Sequence, residues 1–138
     1  LTAEREPEVK EGLYYTNEHE WVSLEGDIAT VGIDDFAQQQ LTDIVFIELP
    51  ETGKKVAQME VLASVESVKS VSDVYAPLSG EIVEVNEELR EHPEFLNQDP
   101  YGKGWIVKLK VDKENAKKEL EKLMDAASYK QFLKQQKS

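Results

Sequence analysis

The sequence predicts an α+β fold that is mainly β, a strand-built core followed by C-terminal helices. Three observations carry this. Through residue 111 the apolar residues fall in strand-length runs separated by turn residues. Beyond residue 112 the apolar spacing lengthens to that of a helix. The 138 residues, 40% of them hydrophobic, suit one domain with one core, since domains usually run to about 100–150 residues. Strands first and helices last is the order of an α+β layer packing.

Each element follows from its residues. Leu1–Gly12 is Glu-rich with few apolar positions and reads as an acidic arm, mobile or loosely docked. Trp21–Leu24 and Ile28–Val31 are strands on either side of a Glu25-Gly26-Asp27 turn. Asp34 is placed to cap a short helix over Asp35–Leu41, with Phe36, Ala37 and Leu41 partly inward. Ile44–Leu49 is a near-continuous apolar strand ended by Pro50, and Glu51–Lys54 is a turn. Val61–Val65 and Val71–Ala76 are two strands joined by a short link that holds Lys69. After the Pro77–Gly80 turn, Glu81–Val85 alternates polar and apolar residues, and acidic Glu87–Leu96 holds a short helix broken near Pro93. Trp105, Val107, Leu109 and Val111 share one strand face, with Ile106, Lys108 and Lys110 on the other. Ala116, Leu120, Leu123, Met124 and Ala127 keep helical spacing, and Ser128 is a candidate cap for a second helix carrying Tyr129, Phe132 and Leu133. The segments Gly26–Gly32 and Gly80–Asn86 resemble one another, each opening on Gly, an acid and Ile.

Charge excludes one class of function. The chain has 28 acidic and 16 basic residues, a formal net charge of −12, so it lacks the basic surface that nucleic acid requires. No run of about 18 apolar residues is present to span a membrane, and no charged-then-apolar leader is seen. With no Cys, disulfides, zinc ribbons and thiol catalysis are excluded together. The acidity belongs to the body: residues 1–111 hold 23 acids and 9 bases, whereas residues 112–138 hold 5 acids and 7 bases. Within Val56–Leu89 seven acids accompany a single base, Lys69.

Catalytic constellations are nearly absent. His19 and His92 are the only histidines, and His19-Glu20 lacks the second His of a zinc helix. Neither a Gly-x-Ser-x-Gly elbow nor a phosphate-binding Gly loop occurs, and Asp34-Asp35 is more simply a helix cap than a cation site. An enzyme acting alone is the weaker reading. Lys69 differs because of its setting: a lysine in a tight strand-to-strand link is exposed and rigidly held, where a modifying enzyme can acylate it.

Val65-Glu66-Ser67-Val68-Lys69-Ser70, followed by Asp73-Val74-Tyr75-Ala76-Pro77-Leu78-Ser79-Gly80, resembles the lipoylation region of the glycine cleavage system H-protein family. Thr16–Val22, Ala29–Ile33, Asp43–Pro50 and Asp99–Trp105 agree with that family in order and spacing, so the resemblance runs from about Leu13 to the C-terminus. It implies a barrel-sandwich hybrid of two small antiparallel sheets with extra helices, and a single carrier domain over 13–138 (β core 13–111, helices 112–138). It implies lipoic acid in amide linkage on Lys69, and a carrier without catalytic activity of its own. The partners implied are a glycine decarboxylase, which loads an aminomethyl group, an aminomethyltransferase, a dihydrolipoamide dehydrogenase and the lipoate-attaching enzymes. Glu20 and Asp73 match family positions near the arm, where carboxylates can hydrogen-bond a protonated amine. Gln40 matches another, where some members have His. A monomer in a bacterial or archaeal cytoplasm is expected, or in the mitochondrial matrix of a eukaryote. Related readings remain: a lipoyl donor for relay to other enzymes, or a lipoyl or biotinyl domain of another complex. A biotinyl domain would show Met-Lys-Met, and a 2-oxo acid dehydrogenase domain Asp-Lys-Ala, where this chain has Val68-Lys69-Ser70.

Overall fold

The computed structural model describes residues 5–137. In chain order the strands are β1 (Tyr14–Tyr15), β2 (Glu20–Glu25), β3 (Ile28–Ile33), β4 (Ile44–Glu48), β5 (Lys55–Val56), β6 (Val61–Ser67), β7 (Val71–Tyr75), β8 (Gly80–Val85) and β9 (Val107–Lys110). They form a six-stranded sheet, β1-β2-β3-β9-β8-β5, and a three-stranded sheet, β4-β6-β7, with every pairing antiparallel. The expected mainly β architecture of two antiparallel sheets with C-terminal helices is the one observed.

The core lies between the sheets. Val22, Ala29, Val31, Ile82 and Leu109 come from the larger sheet and Ile47, Val65 and Val74 from the smaller, all nearly fully buried. Burial of each such side chain stabilises by about 1.5–3 kcal/mol. The two look-alike segments become β3 and β8, which flank β9: Ala29 and Ile82 both lie opposite Leu109, and Ile28 and Glu81 both lie opposite Lys110. Trp21 pairs with Gly32, where an added Cβ would come within 2.7 Å of the indole. Glycine thus lets the ring lie across the strand and donate from Nε1 to the Pro100 carbonyl at 3.0 Å.

Among the described residues, five helices pack around the sheets. α1 (Asp35–Leu41) is capped by Asp34, which accepts from Ala37 N at 2.8 Å. α2 (Glu88–Glu91) and α3 (Phe95–Gln98) lie on either side of Pro93 and bury Leu89 and Leu96. α4 (Lys113–Leu120) is capped by Asp112, and α5 (Ala126–Lys137) follows. The helical spacing from Ala116 to Ala127 does not mark one helix. It breaks at Met124, which exchanges two backbone hydrogen bonds with Tyr15 (2.8 and 2.9 Å). The cap of α5 is Asp125, not Ser128: Asp125 Oδ1 accepts from Ser128 N at 2.9 Å. Ala126 rather than Ala127 is the buried alanine. Ile106, expected on the outer face of the last strand, is fully buried just before β9 begins.

Residues 5–12, expected to be mobile or loosely docked, make specific contacts. Arg5 grips the Asp35 carboxylate with two hydrogen bonds (2.5 and 3.0 Å), and Glu8 N donates to the same group at 2.7 Å. Tyr101 Oη donates to the Glu8 carbonyl and Tyr15 Oη to that of Lys10. The Arg5 guanidinium, the Glu8 amide and Gln38 together hold Asp35 below its ordinary carboxylate range, against the opposing effect of burial.

Candidate functional site

The Lys69 link is a two-residue hairpin between β6 and β7. Glu66 pairs with Val71, and Ser67 N donates to Ser70 O at 2.8 Å. Val68 and Lys69 are the exposed tip residues. Neither has a positive φ, so the turn needs no glycine. Its conformation is fixed another way. Ser67 is buried, and its Oγ accepts from Lys69 N (3.3 Å) and Ser70 N (3.2 Å). Val68 N donates to Asp43 O at 3.0 Å, from the residue preceding β4. All three amides from Val68 to Ser70 thus turn inward, and the Lys69 side chain is presented outward on a satisfied backbone. Ser67 was missed from the sequence, where the available signal is a serine at the start of a tight link, since such a serine commonly bonds the amides two and three residues on.

Glu20 opens β2 and is 1% exposed. Its Oε1 accepts from the Thr16 hydroxyl, and its Oε2 accepts from Tyr75 N at 3.0 Å. β7 is an outer strand, so alternate amides along it have no strand partner. Glu20 therefore covers the open edge of the smaller sheet from the larger one. Burial pushes its carboxyl up to about 7, with the two hydrogen bonds pulling the other way.

Asp73 lies on the same strand as Tyr75, but its side chain is exposed on the outer face, in a row with Ser64 and Glu48. This row borders an open cleft of about 850 Å³ that Glu48, Glu51, Lys54 and Asp73 help to line. Along β7, Asp73 is four residues from Lys69 and Tyr75 is six, roughly 13 and 20 Å of extended chain. Asp73 thus lies on β7, Lys69 in the hairpin that leads into it, and Glu20 meets the far end of β7 from β2. Gln40 is exposed on α1.

A second polar group is built from His19, Asp34 and Tyr129. The Tyr129 hydroxyl donates to the buried Asp34 carboxylate, which leaves His19 Nδ1 as the donor to Tyr129 Oη at 2.6 Å. Burial raises Asp34 to about 7 and lowers His19 to about 4. Tyr129 stacks on Tyr15, ring centroids 4.4 Å apart. The group therefore docks α5 against β1 and α1. Asp34 works as a helix cap, and no group of three or more potential metal ligands exists among the described residues. Sequence reasoning had no signal for Tyr129, whose hydroxyl meets an acid 95 residues away.

A family model described as glycine cleavage H-protein matches residues 13–136. The chain is 58% identical over 130 residues to a probable glycine cleavage system H protein of Pyrococcus abyssi, covering 94% of this chain and 95% of that one. It is 53% identical over 127 residues to the glycine cleavage system H protein of Halothermothrix orenii, covering 92% and 97%. It is also similar to the crystal structure of a glycine cleavage system H protein from Mycobacterium marinum, with a TM-score of 0.76 and 37% identity over 88% of this chain and 95% of that one.

Proposed function

This chain belongs to the glycine cleavage H-protein family, and we propose that it carries its lipoyl group in amide linkage on Lys69. The family supplies the non-catalytic lipoyl carrier of the glycine cleavage system, and that is the role of this chain. The observation that carries Lys69 is its placement: the exposed tip of a hairpin whose amides are all turned inward. An acylating enzyme meets a lysine on a fixed backbone there, with no ion pair to break among the described residues.

Held on Lys69, a lipoyl group would supply the dithiolane chemistry for aminomethyl carriage and its redox change. The chemistry at either end belongs to the cofactors of other proteins, and this chain contributes placement. Its partners in this reading are the glycine decarboxylase, the aminomethyltransferase, the dihydrolipoamide dehydrogenase and the enzymes that attach lipoate. Tethering holds the dithiolane near each partner's site at high effective concentration. Of the two acids at family-matched positions, Asp73 would face the amine of a loaded arm and Glu20 would position the strand that bears it. Asp73 supports this through its exposed carboxylate beside Glu48 and Glu51 in the cleft. Glu20, 1% exposed and with its two oxygens taken by the Thr16 hydroxyl and the Tyr75 amide, would act from behind, by fixing the edge of β7 that carries Asp73.

The domain is residues 13–138, consistent with a family match that begins at 13, and residues 1–12 are an extension to it. The carrier acts as a monomer, because one molecule must enter several partners' sites in turn. The relatives are archaeal and bacterial, and among the described residues no helix is long and apolar enough to cross a membrane. Both support a cytoplasmic site of action. The acidic body favours partners with basic surfaces and association that weakens as salt rises. Intact-mass measurement after expression in a lipoylating host tests the attachment site. One lipoyl addition is expected, and it is lost in Lys69→Arg. Addition on another lysine overturns the assignment.

A further inference from the structure

The hairpin that presents Lys69 is surrounded by apolar side chains with nothing to bury them. Val68 and Val71 are each 66% exposed, Phe46 is 54% and Val45 is 51%. Among the described residues these are four of the eight exposed large hydrophobics. The register explains their grouping. Phe46 on β4 lies opposite Glu66 on β6, which lies opposite Val71 on β7, so the three form one row across the outer face of the smaller sheet. Val68 is at the tip beside them, and Val45 is the extra residue of the β4 irregularity. The next row along the strands is polar: Glu48, Ser64 and Asp73. An apolar patch confined to one end of a sheet and rimmed by acids marks a protein contact.

We propose that this patch is the recognition surface for the enzyme that acylates Lys69, and that the enzyme offers an apolar groove edged by basic side chains. The inference rests on Lys69 being the attachment residue. Geometry selects this occupant over the shuttle partners. An acylating enzyme must bring its activated donor to Nζ, within a single side chain's length of the tip, so it covers Val68, Val71 and Phe46. Partners that act on the dithiolane meet it at the far end of a lysine and a lipoyl chain joined in series, and they have no need to touch the tip. Charge gives the groove its rim, because Glu66 sits in the middle of the apolar row and Glu48 and Asp73 flank it.

The covalent step balances without any redox partner. With a lipoyl–AMP mixed anhydride as donor, Nζ first gives up one proton to solvent and then attacks the carbonyl carbon. The N–C bond forms, the bond from that carbon to the phosphate oxygen breaks, AMP leaves with the electron pair, and Nζ loses a second proton.

The test compares wild type with Phe46→Ser and Val71→Ser, both at exposed positions, using an ATP-dependent lipoate ligase and lipoic acid. Attachment kcat/KM is expected to fall at least tenfold in each variant, mainly through KM. Reaction of Lys69 with a small N-hydroxysuccinimide ester should stay at the wild-type rate. The variants are then lipoylated to completion with excess ligase and assayed with glycine decarboxylase. Glycine-dependent bicarbonate exchange within twofold of wild type is expected. Attachment at the wild-type rate overturns the proposal and leaves the Lys69 reading intact. Exchange falling as far as attachment overturns it too, as does slower reaction with the small ester. A dimer of the unmodified chain that Phe46→Ser dissolves would assign the patch to a second copy. Failure of the ligase to modify wild type at Lys69 would remove the underlying reading itself.

Discussion

Glu20 Oε2 accepts the backbone amide of Tyr75 at 3.0 Å, 55 residues along the chain. One carboxylate thereby closes the open edge of the smaller sheet from the first residue of β2. No ion pair offsets its charge among the described residues, so the ionised form is held by the hydrogen bonds from the Thr16 hydroxyl and the Tyr75 amide. The folded-state carboxyl titrates at about 7, against 4.5 for the ordinary group. The folded protein therefore binds this proton more tightly than the unfolded chain does. The stability so gained is full below about pH 4.5 and is lost as pH rises through about 7.

Glu20→Gln should remove that dependence. The amide oxygen still accepts from Tyr75, and no charge is buried at high pH. Relative to wild type the variant is expected to gain of the order of 2 kcal/mol more at pH 8 than at pH 5. Thermal melts at the two pH values check this. Equal differences at both would show that the carboxyl is not shifted.

Tyr129→Phe should destabilise by about 2–3 kcal/mol, since it takes a donor from a buried carboxylate and an acceptor from His19. The Tyr129 bond favours ionised Asp34, whose carboxyl titrates at about 7. The loss is expected to be greater at pH 8 than at pH 5. Urea unfolding at both pH values measures it, and a pH-independent loss would contradict the network.

Thr42 joins α1 to β4 with φ 63° and ψ −147°, a conformation suited to glycine rather than to a β-branched residue. Asn97 holds the corner, donating to Thr42 O at 2.7 Å and accepting from Ile44 N at 2.9 Å. Relief of about 1–3 kcal/mol of strain exceeds the added chain entropy of glycine, about 0.5–1 kcal/mol. Thr42→Gly is therefore expected to raise Tm by a few degrees, and a fall in Tm would show that the corner is relaxed.

Ser67→Ala removes the side-chain acceptor shared by the Lys69 and Ser70 amides. Water can replace it at an exposed tip, so the stability cost is expected to be about 1 kcal/mol or less. Hydrogen exchange at those two amides should quicken about tenfold, following the usual weight of one hydrogen bond. Unchanged exchange would mean that the Ser67–Ser70 backbone bond alone holds the turn.

What the sequence made legible was what repeats at short range. The β6–β7 hairpin followed from two strand-length apolar runs with a short link, its lysine from the family resemblance, and α1 from Asp34 standing before an apolar spacing. β1 and β5 are two residues each, too short for any period to register. The Ala116–Ala127 spacing runs through Met124 because helical periodicity does not record that Tyr15 pairs with that residue across the fold. Asp125 and Ser128 are both good caps, and only the geometry chooses Asp125. Glu20 is an acid at a strand start, where composition suggests solvent. Its burial depends on Tyr75 arriving from another sheet.

The most direct measurement is glycine-dependent exchange of labelled bicarbonate by glycine decarboxylase, with this chain lipoylated in vitro as the only carrier. Exchange is expected with the modified wild type and none with Lys69→Arg carried through the same treatment. Exchange supported by the Arg variant, or absent with a wild type whose mass shows one lipoyl group on Lys69, would contradict a carrier that works through this residue.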